Sequence, residues 1–323
     1  MVESDGRIRT FPVVDETIPG AHWQILNILH NHGYPLRTEY DRKTADGSPV
    51  DPSSGRDGKF IIEIKNPFSQ PRYPFFSFCE IGKYIAEILG VKDHLVPPYD
   101  ELKAMAEGGE VTTLWPYTYH SRLASYPCRD GSVLNQLKVM TDKLAKSPLT
   151  RRAIAITGVP EIDLFLEEPP CLRYIQLRAI ENRKGQLVLN MHTSWRSRAA
   201  YTAWHDNVMA LTNLQAKLAS DLNKKTEREI IVGPYTEANG SLHLYPQDYD
   251  DPDKDFAKKF VGDFPTRESY IAKARDTTSE TMQVYIDSQL EQLAEESTWR
   301  FPSEALRLIE DLREGYRSGE FTP

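Results

Sequence analysis

Cysteine is scarce in this 323-residue sequence: Cys79, Cys128 and Cys171 are the only three, widely spaced and odd in number. That count excludes a disulfide framework and offers no zinc-ligand spacing, so no metal is expected. Long apolar runs are lacking as well. None reaches the roughly 18–20 residues needed to span a bilayer, and the opening MVESDGRIRT holds no apolar signal core. Basic excess is the third absence. Lys and Arg number 39 against 47 Asp and Glu, a net charge of -8, which argues against a general nucleic-acid or membrane-surface binder. The expectation is a protein of the reducing cytoplasm with a small-molecule partner.

What is present is ordinary for a globular chain, with 40% hydrophobic and 27% charged residues. The length suits one large domain or two ordinary ones. AHWQILNILHNHG (residues 21–33) has helical spacing and a closing glycine. KFIIEIKNP (59–67) reads as a strand with a proline stop, residues 77–90 as a helix, and the stretch before Pro148 as another. RRAIAITGV starts a strand. LRYIQLRAI and QLVLNMHTS are two strands joined by the turn ENRKG. AAYTAWHDNVMALTNLQAKLASDLN (199–223) reads as a long helix, and REIIVGPYTEANGSLHLY as a strand, a glycine turn and a short strand. Two polar helices are expected after Pro246. The class is α+β, with residues 1–250 as the catalytic domain and 251–323 as a helical extension packed on it.

Taken singly, the chemistry-bearing residues are unremarkable: a cysteine before a strand is most often a small hydrophobe, and adjacent arginines are most often solvated. Their order is informative. Arg151 and Arg152 open a strand, Cys171 follows Pro169-Pro170, and Arg196-Ser197 end the returning strand. Asn207 lies 11 residues, or three helical turns, after Arg196, so it shares the face of the long helix that looks back at the strand ends. His243 and Tyr245, two apart on a strand, point to one side.

The set TRRAIAI, PPC, WRS…N and HLY, in this order between about Glu80 and Tyr245, resembles the thymidylate synthase superfamily. The resemblance implies a mixed β-sheet flanked by helices, with a sheet face used for homodimerisation. It makes Cys171 the nucleophile that adds to C6 of a pyrimidine, a step suited to a thiolate that neighbouring arginines would favour. It makes Arg196, Ser197 and an N-terminal arginine (Arg56, with Arg42 as competitor) phosphate ligands, and Arg151 and Arg152 phosphate ligands acting in trans across the dimer. Guanidinium forks suit such a dianion. His243 and Tyr245 would hold the sugar, Asn207 would pair with the base, and Tyr119 would assist proton removal from C5. Glu80, or else Glu87, would be the acid. The co-substrate implied is 5,10-methylenetetrahydrofolate, contacted at the positions of Tyr99 and Ala199, and the partner is a pyrimidine nucleoside monophosphate.

Four departures refine the expectation. VPPYDEL (96–102) puts Tyr99 and Leu102 where synthases carry tryptophans that shield the methylene intermediate. The sequence ends in polar EGYRSGEFTP where synthases have an apolar tail. Reduced shielding lets water capture the methylene, giving a 5-hydroxymethyl group. Leu172 stands where uracil-using synthases carry histidine, and Ala199 where an aspartate contacts folate. The sequence is nearest to the cytidylate 5-hydroxymethylases of nucleoside-antibiotic pathways such as mildiomycin, and CMP, or dCMP, is the expected substrate. Methylation of dUMP, or nucleotide binding without catalysis, are the alternatives. Asn207 does not choose between bases, because an amide both donates and accepts.

Overall fold

The computed structural model describes residues 6–35, 43–47, 55–73, 80–108, 115–250, 255–297 and 302–318. In chain order the elements begin β1 (Thr10–Asp15), α1 (Ile18–His32), β2 (Arg56–Ile64), α2 (Ile81–Ile88), α3 (Tyr99–Ala106) and α4 (Tyr119–Ala124). The short pair β3 (Tyr126–Pro127) and β4 (Val133–Leu134) precedes α5 (Gln136–Lys146), β5 (Ala153–Ile156) and α6 (Pro160–Asp163). Then come β6 (Leu172–Glu181), β7 (Leu187–Trp195), β8 (Arg198–Ala199), α7 (Trp204–Lys225) and β9 (Ile230–Leu244). The helices α8 (Pro246–Asp250), α9 (Arg267–Ala274), α10 (Ser279–Ser297) and α11 (Ser303–Ser318) complete the described chain, with a π-helical turn at Ala257–Gly262.

The chain divides into two compact units. The first comprises Met1–Phe78, Trp195–Val208 and Thr236–Thr278; the second comprises Cys79–Ser194, Met209–Tyr235 and Ser279–Pro323. Apart from the β3–β4 pair, the strands form a seven-stranded mixed sheet in which β1, β2 and β9 are successive neighbours, as are β9, β7, β6 and β5, with β8 paired to β9. The α+β class read from the sequence is the one found.

In the first unit β1 runs parallel to β2 with Val13 opposite Ile62, and Phe60, Ile62 and Ile64 alternate inward, wholly buried. Helix α1 starts where the Thr17 hydroxyl accepts the Gly20 N–H at 3.1 Å, a cap worth about 1 kcal/mol. It ends at Gly33, whose N–H reaches the Leu29 carbonyl at 2.9 Å. Asp15 receives a fork from Arg267, Nε to Oδ2 at 2.9 Å and Nη2 to Oδ1 at 2.7 Å. The buried edge of this unit includes His22, which accepts from the Tyr270 hydroxyl at 2.8 Å and donates through Nε2 to the Ala200 carbonyl at 3.1 Å.

In the second unit β5 pairs antiparallel with β6, Ala153 opposite Leu177. The turn after β6 is set by Asn182, whose side-chain oxygen accepts the N–H groups of Lys184 and Gln186. Its core includes Leu172, Ile175, Leu177, Leu189 and Met191, none exposed; each such side chain contributes about 1.5–3 kcal/mol. Helix α10 accepts the Gly82 N–H of α2 through Gln289 at 2.6 Å, and α11 pairs Arg313 with Asp287 at 2.9 Å.

Three expectations change. The long helix begins at Trp204 rather than residue 199, because Arg198 and Ala199 pair with Leu242 and His243 as the strand β8. The glycine turn expected near residue 240 does not form. Instead β9 is one strand of 15 residues, whose buried positions are odd-numbered from Gly233 through Asn239 and include Leu242 and Leu244 beyond Gly240. Gly240 fits there because a Cβ would lie 3.0 Å from the Arg196 carbonyl oxygen. Third, more than two helical segments follow Pro246. The helix expected over 77–90 is observed as Ile81–Ile88, residues 77–79 lying outside the described residues.

Candidate active site

Cys171 is a reduced, half-buried thiol at the mouth of β6. Two prolines before it restrict the approach, and Leu172 immediately after it is wholly buried. The strand start is stitched to the exit of β5 by Thr157: its hydroxyl donates to the Leu172 carbonyl and its N–H to the Arg173 carbonyl at 3.2 Å. Local structure therefore fixes where this thiol sits.

The same unit holds Arg151, Arg152, Tyr119, Tyr99, Glu80 and Glu87. Both arginines are exposed just ahead of β5. They are held by their carbonyls, Arg151 accepting from Gln176 at 3.0 Å and Arg152 from Lys143 at 3.2 Å. Tyr119 is the first residue of α4, where Thr118 and Ser121 form a reciprocal cap. Tyr99 is buried among Leu102, Val159 and Ile162, with its hydroxyl donating to Glu161 at 3.0 Å. Burial, and then Glu161, push that phenol up. Glu80 is exposed and paired with Lys83 at 3.0 Å, whereas Glu87 is more enclosed and paired with Lys92 at 2.8 Å.

A cavity of ≈ 280 Å³ borders Tyr99, Leu102, Arg122 and Ser125 in this unit. Behind its wall Arg122 forms a sealed ion pair with Asp163 at 2.8 Å, each side chain 1% exposed.

The first unit holds Arg56, Arg196, Ser197, Ala199, Asn207, His243 and Tyr245. Arg196 is exposed at the end of β7, and Ser197 is half-buried. Ala199 stands opposite His243 in the β8–β9 register, and the Ala200 N–H donates to the His243 carbonyl at 2.7 Å. The His243 and Tyr245 rings meet at 4.4 Å. Burial pushes His243 down to about 4. Its Nδ1 is 3.2 Å from the Ser241 hydroxyl, which donates to Asp57 at 2.8 Å; its Nε2 is closed off and hydrogen-bonds no described residue. Burial raises the Asp57 carboxyl, an effect that Ser241 and the Gly58 N–H oppose. Arg56 opens β2, with Nη1 donating to the Gly55 carbonyl at 2.9 Å; Arg42 lies outside the described residues.

Asn207 is buried in the first turn of α7. Because β8 and a turn intervene, the shared helical face with Arg196 does not exist; Asn207 reaches its place through a strand, a turn and a new helix. Asp206 beside it is 2% exposed, and its Oδ1 lies 3.1 Å from His205 Nε2.

Sequence reasoning passed over the residues that pack this segment. Arg198 donates through Nη2 to Glu237 at 2.5 Å and to Asn239 at 2.8 Å, and stacks on Trp195 at 4.0 Å. The sequence carried only part of the signal: polar Glu237 and Asn239 follow Tyr235 at two-residue spacing, so all three share one face of the strand.

No group of three or more His, Cys, Asp or Glu could hold a metal ion among the described residues, and no described helix is long and apolar enough to cross a membrane.

This architecture is thymidylate synthase-like. The fold is similar to that of the thermostable thymidylate synthase A of Bacillus subtilis, with a TM-score of 0.51 and 18% identity over 72% of this chain and 82% of that one. In sequence, the chain is 25% identical over 237 residues to a Methanosarcina barkeri protein named "Putative thymidylate synthase", covering 73% of this chain and 89% of that protein. A Methanocaldococcus jannaschii protein of the same name is 30% identical over 163 residues, 49% of this chain and 65% of that one. No family model matches the chain.

Proposed function

We propose that the chain is a one-carbon transferase that hydroxymethylates C5 of a cytidine monophosphate, CMP or dCMP, using 5,10-methylenetetrahydrofolate and water. The observation that carries the reading is Cys171: a fixed, half-buried thiol at the mouth of β6, an internal strand of the sheet. Its thiolate adds to C6, C5 takes the methylene group, and Tyr119 assists loss of the C5 proton. Elimination of tetrahydrofolate leaves an exocyclic methylene. Water adds to that carbon, and the Cys171 bond breaks to release the 5-hydroxymethyl nucleotide.

Arg56, Arg196 and Ser197 bind the phosphate, a partner copy supplies Arg151 and Arg152 through a homodimer, and His243 and Tyr245 hold the sugar. Asn207 pairs with the base, and Glu80 or Glu87 is the acid. Catalysis belongs to residues 1–250, with 251–323 as a helical extension. Tyr99 supports hydration over reduction, since it offers a phenol where a shielding indole is expected. The residues fit folate less completely than nucleotide, because Ala199 presents a methyl group where a carboxylate is expected.

A second reading, methylation of dUMP, is favoured by the names of the sequence relatives. Product mass separates the two after incubation with methylenetetrahydrofolate and CMP, dCMP or dUMP. A cytidylate gaining CH2O supports hydroxymethylation; dUMP gaining CH2 replaces it with methylation. Cys171→Ser is expected to lower turnover at least about 10³-fold, and full activity in that variant refutes both.

A further inference from the structure

One oxygen in the first unit collects an unusual share of its buried polar contacts. Glu237 is wholly buried on β9. Its Oε1 accepts from Arg198 Nη2 at 2.5 Å, from Trp204 Nε1 at 2.5 Å and from Asn239 Nδ2 at 2.9 Å. These donors come from three places. Arg198 lies between Ser197 and Ala199 on β8, Trp204 is the first residue of α7, and Asn239 is two residues on along β9.

The segment so held begins at Arg196 and ends with the helical turn that bears Asn207. Its start runs close against β9, where a Cβ on Gly240 would come within 3.0 Å of the Arg196 carbonyl oxygen. A charge sealed from water needs a partner, and Arg198, 4% exposed, has its counter-ion in Glu237. An ion pair is not needed merely to fill this space: well-packed apolar residues of similar volume are often as stable. Direction is what a carboxylate adds here, since one atom fixes the bearings of a guanidinium and an indole together.

We infer that Glu237 is a positioning residue: through Arg198 and Trp204 it sets the chain that presents Arg196 and Ser197 to the nucleotide phosphate and Asn207 to the base. This rests on the nucleotide reading proposed above. Glu237 touches no substrate in this role; it acts by holding its neighbours.

The test uses the full chain and the charge-balanced double variant Glu237→Gln/Arg198→Met, which leaves no buried ion unpaired. Calorimetric binding of CMP, dCMP and dUMP is measured beside steady-state kinetics and amide hydrogen exchange. The dissociation constant of the bound nucleotide should rise between about 10-fold and 100-fold, while the KM for methylenetetrahydrofolate stays within about twofold. Amide exchange over residues 197–207 should quicken while that of α1 and β2 does not. Unchanged nucleotide binding together with unchanged local exchange overturns the inference, as does exchange quickened equally throughout the unit. If the unaltered protein binds none of the three nucleotides, the nucleotide reading falls, and local exchange alone decides whether Glu237 positions this segment. Should the double variant fail to fold, Asn239→Ala, which removes one uncharged member of the set, is judged by the same measurements.

Discussion

Arg198 in the first unit and Arg122 in the second are both buried, and each meets one carboxylate, yet the two carboxylates are used differently. Glu237 gathers side chains: a guanidinium, an indole and an amide. Asp163 gathers one side chain and the main chain, since its Oδ2 accepts the Val159 N–H at 2.7 Å where α6 begins. The main-chain pattern continues around Arg122. Its carbonyl accepts from Gln136 at 2.8 Å, and Gln136 also pairs with both the N–H and the carbonyl of Ile156. One arginine thus orients side chains around a short strand, a turn and a helix start, while the other locks regular elements by their backbones. The same ionic contact can serve aim in one place and attachment in another.

The sharpest break in this comparison is Asp163→Ala. It strands a buried cation and removes the partner of the Val159 N–H, so denaturant unfolding should show a loss of about 3–5 kcal/mol. The pair Asp163→Leu/Arg122→Met should recover much of that loss. If Asp163→Ala costs under about 1 kcal/mol, the pair is not attached as described.

Acid pH probes the first unit next. The native pKa of His243, about 4, lies below its ordinary 6.5. The folded state therefore binds fewer protons between these values, and the stability held above about pH 6.5 is lost as the pH falls toward 4. His243→Asn should flatten the stability–pH curve in that window. Arg122 and Asp163 offer no comparable histidine, so Asp163→Ala should shift the curve without flattening it there.

Thr118→Ala sharpens the second region. It removes the cap of α4 and a 2.7 Å hydrogen bond to Asp93, for an expected cost of about 1 kcal/mol. The smallest effect belongs to the exposed arginines. Arg151→Ala and Arg152→Ala should leave unfolding within about 0.5 kcal/mol of the unaltered protein, while weakening nucleotide binding if these residues serve the phosphate.

Much of the fold was legible because periodicity and punctuation agreed. LRYIQLRAI and QLVLNMHTS became β6 and β7 nearly to the residue, as β-branched and leucine-rich runs around a polar turn should. Failures came where a local signal had two physical outcomes. Gly240 reads as a turn, yet here it makes room for a neighbouring carbonyl. Ala199 and Ala200 are helix formers by propensity, yet pairing with β9 drew Ala199 into a strand, since tertiary contacts override so weak a preference. The thiol was legible from Pro-Pro-Cys before an apolar run. The part played by Glu237 was not, because nothing in a single sequence announces that two distant donors and a near one will converge on one oxygen.

That β9 is unbroken has a consequence for how this chain can vary in length. Surface loops absorb extra residues cheaply, but a strand does not: one residue inserted after Tyr235 reverses the faces of those that follow it, until another irregularity restores the phase. Glu237 and Asn239 would exchange places with their neighbours together. The contacts around Arg198 are thereby encoded as a count of residues along β9 as much as by the identities of the residues counted.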